Sequence, residues 1–226
     1  MNMMNDTIAA IATANATGAV SIIRISGEEA ILIASELINK DLSKKEGYTI
    51  TFGTVQEEND VVDEVLVSIF RAPKSYTGED VVEIGCHGGL FITRKILSLC
   101  LGKGARLARR GEFTERAFLN GKMDLSQAEG VNDLINATDE VNAKSAMHSL
   151  KGSVSKILKP LEEDLTQIIS NIEVNIDYPE YDDVHQLTED EILPKAKAWL
   201  KDIQKLIDEA KKAVNIREGI DTVILG

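Results

Sequence analysis

The chain has 226 residues, of which 43% are hydrophobic and 27% charged, an ordinary globular composition that excludes a disordered protein. Its net charge of −12 makes it a poor non-specific nucleic-acid binder, and no run approaches the ~18 apolar residues of a membrane span. The N-terminus lacks signal-peptide features, and two cysteines are too few for a disulfide framework or a zinc cage. We therefore expect a cytoplasmic protein without a membrane segment.

The first 121 residues predict a mixed α/β domain. Two helical patterns, at 28–38 and 90–101, alternate with short β-rich runs that Gly, Asn, Asp and Pro separate. The predicted strands lie at 7–12, 20–25, 48–55, 62–70 and 81–86. Strands interrupted by helices indicate an α+β or split βαβ arrangement, whose strand order the sequence leaves open.

Residues 122–218 predict an α-helical domain, so the fold class expected for the whole chain is α+β. Ser126 and Glu129 have capping-box spacing and predict the start of its first helix. A longer helical pattern spans 139–176; Gly152 and Pro160 interrupt it, and a kink or break is expected near Pro160. The acidic segment 177–190 predicts a loop, and a last helix is expected to end near residue 215.

Residues 219–226 end in a short β-branched run, Thr222-Val-Ile-Leu225, followed by Gly226. A strand needs neighbouring strands to pair with. A phosphate-binding loop begins with a glycine that directly follows a strand. We interpret the run as the first strand of a further domain, although many strands end in glycine.

Four segments resemble a known family when they are taken together in order and spacing. They are Asp6-Thr-Ile-Ala-Ala-Ile-Ala-Thr13 with Gly18-Ala-Val-Ser-Ile-Ile-Arg-Ile-Ser-Gly27, then Ser75-Tyr-Thr-Gly-Glu-Asp-Val-Val-Glu-Ile-Gly-Cys-His-Gly-Gly89, Ala108-Arg-Arg-Gly-Glu-Phe-Thr-Glu-Arg-Ala-Phe-Leu-Asn-Gly-Lys-Met-Asp-Leu-Ser-Gln-Ala-Glu129, and Arg217-Glu-Gly-Ile-Asp-Thr-Val-Ile-Leu-Gly226. Over essentially the whole chain they resemble the tRNA-modification GTPase MnmE (TrmE) family.

The resemblance implies an organisation and a function. Residues 1–121 would be an aminomethyltransferase-like domain that binds a one-carbon tetrahydrofolate and dimerises. Residues 122–218 would be the first part of a helical domain, and 219–226 the first strand of a G domain with Gly226 opening its P-loop. The whole protein would use GTP, Mg²⁺ and K⁺. Together with the flavoprotein MnmG (GidA) it would place a 5-carboxymethylaminomethyl group on the wobble uridine of tRNA. This chain alone would lack GTPase activity.

The family's folate-binding positions correspond to Arg24, Glu83 and Lys122, and the ligand would be 5-formyl- or 5,10-methylene-tetrahydrofolate. A carboxylate such as Glu83 suits the adjacent N–H donors of a pterin edge, while the anionic benzoyl-glutamate end suits cations. Which cation would meet which end is left open. Each residue also has a structural interpretation: Glu83 as a solvent-facing strand position, Arg24 in an ion pair at the edge of the core, and Lys122 as an exposed lysine.

Further pocket-lining candidates are His87, Gly88, Arg109 and Arg116. Glycines at a strand-to-helix junction allow a ligand to approach the backbone, and we expect a structural or ligand-lining role for His87 because no partnered carboxylate is evident. The arginines belong to a cluster that is either ordinary solvated surface or support for a pocket or interface. No catalytic residue and no metal site is predicted.

Two other functions remain open. The chain could be a free-standing folate-dependent aminomethyltransferase-like protein, although its long helical second half argues against this interpretation. It could also be a non-catalytic dimerisation module that binds no ligand.

Overall fold

The computed structural model describes residues 6–58, 60–177, 189–218 and 223. Its first part is built on a six-stranded sheet with the order β3-β4-β5-β2-β1-β6, in which only the β1–β6 pair is parallel. The strands are β1 Ile8–Ile11, β2 Val20–Ser26, β3 Thr49–Glu57, β4 Asp60–Phe70, β5 Val81–His87 and β6 Arg106–Leu107. All five predicted strands are present, and β6 is additional.

Two helices, α1 (Ala30–Leu37) and α2 (Leu90–Gly102), contact the sheet and contribute to its hydrophobic core. Alternation along β5 explains which side chains they meet: Val82, Ile84 and Cys86 are buried, whereas Glu83 between them is partly exposed. Glu83 and its cross-strand partner Arg24 on β2, the predicted ligand-binding positions, therefore lie on the sheet face opposite the core.

A third helix, α3 (Glu112–Leu119), is absent from the sequence-based prediction. Its buried positions are Glu112, Arg116 and Ala117, so two of its three inward residues are charged. The apolar periodicity that identifies most helices is therefore missing.

Four further helices follow, α4 (Leu125–Ile135), α5 (Glu140–Leu150), α6 (Ser153–Asp177) and α7 (Glu189–Glu218). Asp124 and Gln127, not Ser126 and Glu129, form the capping box of α4, because each backbone N–H of that pair donates to the other's side chain at 2.8–2.9 Å. The helical pattern is broken at Gly152, one of the two predicted interruptions, whose φ is +71° and which lies between α5 and α6. The break expected near Pro160 is wrong, because helix α6 continues through Pro160.

The α+β fold class is confirmed by the sheet domain followed by the helices. The chain divides into two compact units, Met1–Ala128 and Glu129–Gly226. The predicted strand at 222–225 with Gly226 and most of the predicted loop at 177–190 lie outside the described residues. Within the ranges that the structure describes, no helix is both long and apolar enough to cross a membrane.

Candidate functional site

Arg24 and Glu83 are direct cross-strand partners on β2 and β5. The Arg24 guanidinium donates from Nε to Glu83 Oε1 at 2.8 Å, and its Nη2 lies 2.7 Å from the same oxygen. None of the described residues donates a hydrogen bond to Glu83 Oε2, and both side chains are about one-quarter exposed. The pair therefore presents one open carboxylate oxygen at the surface of the sheet.

Two aromatic rings contact the same guanidinium. The Arg24 Cζ lies 5.2 Å from the ring centroid of Tyr76 and 5.5 Å from that of Phe113, within cation–π distance. Tyr76 belongs to the 71–80 loop between β4 and β5, and its hydroxyl is hydrogen-bonded to Thr114 of α3 at 2.9 Å. Loop and helix together fix the position of Arg24.

Lys122 follows α3 and lies across the 71–80 loop. Its Nζ donates to the Pro73 carbonyl at 2.8 Å, and its side chain runs beside Gly78, where an added Cβ would come within 3.3 Å of Lys122 Cγ. Asn120 also donates to the loop, to the Thr77 carbonyl at 2.8 Å. The structure thus pairs Arg24 directly with Glu83 and relates Lys122 to them through the 71–80 loop.

The predicted arginine cluster divides into two parts: Arg106 and Arg116 belong to an ion-pair network, whereas Arg109 and Arg110 are exposed. Arg116 is buried and donates to the carboxylates of Asp6, Glu79 and Glu112, while Arg106 binds Asp6 and Glu112. Glu112, which is 2% exposed, also accepts from the backbone N–H of Arg109 at 2.6 Å. The network ties α3 to β6, to the start of β1 and to the 71–80 loop.

The electrostatics of this network centre on Glu112. Burial alone would raise the pKa of its carboxyl, but hydrogen bonds from Arg106, the Arg109 backbone and Arg116 outweigh burial and lower that pKa to about 2. Glu112 is therefore ionised throughout the physiological range.

A cavity of about 200 Å³ adjoins the network. It is lined by Glu79, Arg109, Glu112, Glu115, Arg116, Leu119 and Asn120. Two predicted pocket residues, Arg109 and Arg116, thus line one cavity. Arg24, Glu83 and Lys122 are not among its lining residues. Its volume is below the roughly 300–1,000 Å³ of typical small-molecule sites, so it accommodates at most part of a large ligand.

His87 has the carboxylate partner that the sequence did not reveal. Asp63 on β4 is almost buried, and its two oxygens accept from the His87 ring Nδ1 at 2.6 Å and from the His87 backbone N–H at 2.8 Å. The imidazole is 74% exposed. Since Asp63 fixes the ring through Nδ1, the imidazole presents Nε2 to solvent.

Gly88 lies at the junction between β5 and α2, in close contact with the backbone of Gly18. A Cβ added there would lie 2.5 Å from the Gly18 carbonyl oxygen and 2.7 Å from its carbon, whereas at Gly89 the nearest atom is 4.0 Å away. The close approach explains why glycine occupies this position.

Gly88→Ala is accordingly expected to lower the free energy of unfolding by about 1–3 kcal/mol, because the backbone must shift to admit the methyl group. Gly89→Ala is the matched control and should cost less than about 1 kcal/mol, because it loses only the preference for glycine at the N-cap of α2. Urea denaturation followed by circular dichroism measures both. Equal effects at the two glycines would contradict the steric explanation.

Both cysteines are buried and unpaired. Burial raises the pKa of both thiols, that of Cys100 to about 12. Neither is a reactive thiolate near neutral pH. Within the described residues there is also no cluster of three His, Cys, Asp or Glu side chains suited to a metal ion.

Sequence reasoning missed three residues of this region, Tyr76, Phe113 and Asp63. The alternation of β4 gives a usable signal for Asp63, which shares the buried side of the strand with Val65 and Val67 and therefore needs a polar partner. Tyr76 and Phe113 belong to irregular or charge-rich segments that carry no comparable signal.

A mixed sheet with a carboxylate–guanidinium pair on its open face, followed by a helical unit, defines a two-part α+β protein. The family described as "GTP-binding protein TrmE N-terminus" matches residues 7–122, and "MnmE helical domain" matches 125–221. The chain belongs to the MnmE (TrmE) family.

Curated relatives agree with this assignment. Proteins named "tRNA modification GTPase MnmE" from Enterococcus faecalis and Levilactobacillus brevis are each 48% identical over 98% of this chain. One from Lactococcus lactis subsp. cremoris is 47% identical over the same share. The chain spans about half the length of these relatives, 49%, 48% and 49% respectively.

Proposed function

We propose that the sheet unit binds a reduced one-carbon folate, 5-formyl- or 5,10-methylene-tetrahydrofolate, at Arg24, Glu83 and Lys122. The observation that carries this proposal is Glu83 Oε2, which accepts no hydrogen bond from the described residues. The Glu83 side chain is partly exposed and lies beside the Arg24 guanidinium, which contacts the rings of Tyr76 and Phe113. A pterin edge offers adjacent N–H donors to such an oxygen. Lys122 is exposed and supplies a cation for the glutamate end of the ligand.

The donor set fits a folate in chemical terms. When bound, the folate supplies a carbon at the formyl or methylene oxidation level, and the protein's side chains orient it. Glu83 accepts hydrogen bonds from the pterin. The 71–80 loop and α3 hold the rings of Tyr76 and Phe113 against Arg24.

Membership of the family supports a wider proposal for the whole protein. With the flavoprotein MnmG (GidA), it would install a 5-carboxymethylaminomethyl group on the wobble uridine of tRNA in the cytoplasm. GTP hydrolysis with Mg²⁺ and K⁺ would drive its conformational changes. We propose a folate-binding and dimerisation domain at 1–121, a helical domain at 122–218, and the first G-domain strand at 219–226 with Gly226 at the P-loop.

Calorimetric titration of the chain with 5-formyl-tetrahydrofolate and, separately, with GTP tests the function of this part. We expect saturable folate binding and no GTP binding, because its 226 residues contain no G-x-x-x-x-G-K-[ST] sequence to cradle the phosphates. Saturable GTP binding would contradict the assignment of GTPase activity to residues outside this chain. Absence of folate binding would favour the dimerisation-module alternative.

We further propose that the sheet unit forms a homodimer through the open face of β3 and β4. Ile50, Phe52 and Leu66 are 68%, 56% and 54% exposed on that face, and Phe52 and Leu66 are cross-strand partners. A contiguous apolar patch of this kind is typical of a protein–protein contact.

Leu66→Glu is therefore expected to shift the protein from dimer to monomer in light scattering at micromolar concentration, because a desolvated carboxylate opposes association. Phe91→Glu is the control: Phe91 is 77% exposed on α2, which contacts the core face of the sheet, and its replacement should leave the dimer intact. Deletion of residues beyond about 125 should also preserve the dimer. A monomeric wild type would contradict the dimer proposal, and a Leu66→Glu dimer would exclude this face.

A further inference from the structure

Exposed cations are concentrated at one end of the sheet unit, in segments 39–48, 71–80 and 120–123. These segments contain six lysines and arginines against four acidic residues, in a chain whose net charge is −12. Two of the acids are compensated by arginines, since Asp80 pairs with Arg71 and Glu79 with Arg116. The acids that remain exposed are Asp41 and Glu46. Five exposed lysines outnumber them, so the surface at this end is positive.

Hydrogen bonds hold the three segments together. Arg71 donates from Nε to the backbone carbonyl of Lys45 at 3.2 Å, which places the 39–48 segment against the start of the 71–80 loop. On that loop, the Pro73 carbonyl accepts from Lys122 Nζ at 2.8 Å. The exposed lysines of the three segments therefore share one surface.

Three of these lysines have no carboxylate partner. Lys44, Lys45 and Lys74 are exposed, and none of them forms an ion pair within the part of the chain that the structure describes. On α2, by comparison, Lys95 is paired with Glu57. An unpaired ammonium group is a point charge with free N–H donors, which suits a phosphate. The charges of the three lysines are thus available to an anionic partner.

An exposed aromatic ring lies beside these lysines. Tyr48 directly precedes β3 and is 67% exposed, and its ring packs edge-on against Phe70 with the centroids 5.6 Å apart. Its backbone N–H donates to the Ile69 carbonyl at 2.7 Å, which anchors it to β4. Unpaired bases of single-stranded RNA stack on exposed rings of this kind. Cations and an aromatic ring together fit RNA better than they fit a protein partner.

We infer that this end of the sheet unit binds the single-stranded loop of the tRNA that carries the wobble uridine. The contact residues are Lys44, Lys45, Tyr48 and Lys74, which we call the lysine–tyrosine surface. Its lysines neutralise phosphates, and its ring stacks on an unpaired base. The inference rests on the proposed function in tRNA modification. The 71–80 loop also borders the proposed folate site through Tyr76, so RNA bound here lies beside the carbon donor.

Fluorescence anisotropy with a labelled anticodon stem-loop RNA, measured over a series of salt concentrations, tests the lysines. The variant is the triple substitution Lys44→Gln, Lys45→Gln and Lys74→Gln. We expect it to bind about tenfold or more weakly, and its plot of log affinity against log salt should be shallower by about 2, because each phosphate contact on a single strand contributes about 0.7 to that slope.

The matched control removes the same charge from another exposed surface of the chain. Its substitutions are Lys197→Gln, Lys201→Gln and Lys205→Gln, all on α7. The control should keep its RNA affinity within about twofold of the wild type, because charges more than about 10 Å from the RNA are screened by salt. Equal losses in the two triple variants would overturn the inference, since only the net charge would then matter.

The aromatic contact has its own pair of variants. Tyr48→Leu should weaken stem-loop binding about fivefold or more, as expected for the loss of one stacked base, whereas Tyr48→Phe keeps the ring and should bind nearly as well as the wild type. A fully paired RNA duplex should bind both variants equally. Unchanged unfolding midpoints are required of every variant. Wild-type affinity for the stem-loop in Tyr48→Leu would exclude the ring from the surface.

Titration with 5-formyl-tetrahydrofolate in monoglutamate and pentaglutamate forms separates this inference from the folate proposal. If the triple variant at the lysine–tyrosine surface keeps its RNA affinity and loses affinity for the pentaglutamate alone, the lysines bind the folate tail and the inference is overturned. A wild type that binds folate but not the stem-loop overturns this inference only. A wild type that binds the stem-loop but not folate contradicts the folate proposal and leaves the lysine–tyrosine surface supported.

Discussion

Glu112→Gln is expected to lower the free energy of unfolding of the sheet unit by about 3 kcal/mol near neutral pH. The substitution removes the most buried carboxylate that Arg106 and Arg116 share, so that a neutral amide faces the two guanidinium groups, and Asp6, with Glu79 for Arg116, remains to pair with them. The amide is nearly isosteric with the carboxyl group, so the effect reports charge and hydrogen bonding and not a cavity.

Urea denaturation followed by far-UV circular dichroism measures this loss. Glu115→Gln on the same helix is the matched control: its carboxylate pairs with Arg109 at 2.9 Å but is 48% exposed, so its loss should cost at most about 1 kcal/mol. Fluorescence of Trp199, the single tryptophan, reports the helical unit separately and should be unchanged in both variants. Equal destabilisation by the two variants would contradict the buried-network account.

The same carboxylate makes stability depend on pH. Because the pKa of Glu112 is lowered from 4.5 to about 2 in the folded chain, its ionised form stabilises the fold fully above pH 4.5. That contribution, roughly 3 kcal/mol, is lost as the pH falls from about 4.5 to about 2. Glu112→Gln should therefore flatten the stability profile of the wild type in this window.

The sheet was largely predictable because its strands follow the simple rule of alternation. Strand β5 alternates buried Val82 and Ile84 with the partly exposed Glu83, and hydrophobic periodicity detects such a pattern. Strand β6 has two residues, too few for any period, and α3 turns Glu112 and Arg116 inward. Pairwise charge compensation across distant segments stabilises α3, and no local pattern encodes that.

The candidate site was predictable as residue types but not as an arrangement. Arg24 in an ion pair and Glu83 as a solvent-facing position were the structural alternatives, and the two residues prove to be each other's neighbours on adjacent strands. The cross-strand register decides this, and it depends on pairing between β2 and β5, which lie 59 positions apart at Arg24 and Glu83. Tyr76 reaches the Arg24–Glu83 pair from the 71–80 loop. Contacts of that loop with α3 and Lys122, which are distant in sequence, determine its position.

Glu83→Ala is the second change with a large expected effect. If Glu83 accepts hydrogen bonds from the pterin, removing the carboxylate should cost about 2–5 kcal/mol of binding free energy, a loss of roughly thirtyfold or more. Lys122→Ala should cost only about 0–1 kcal/mol, since an exposed lysine facing a solvated glutamate is screened by water and salt.

Fluorescence titration with 5-formyl-tetrahydrofolate measures both affinities, and circular dichroism verifies that the variants are folded. Lys103→Gln is a suitable control, because Lys103 follows α2, which contacts the core face of the sheet, and pairs with Glu36 at 3.1 Å. A misfolded Glu83→Ala protein would imitate the expected loss, so an unfolding midpoint accompanies each titration.

The most direct test of the central claim is the equilibrium titration of the wild-type chain and of Glu83→Ala with 5-formyl-tetrahydrofolate under one set of conditions. The account predicts saturable binding to the wild type and at least a roughly thirtyfold weaker affinity in the folded variant. Equal affinities in the two folded proteins would contradict the assignment of the site to Glu83, and no binding to the wild type would contradict the folate function itself.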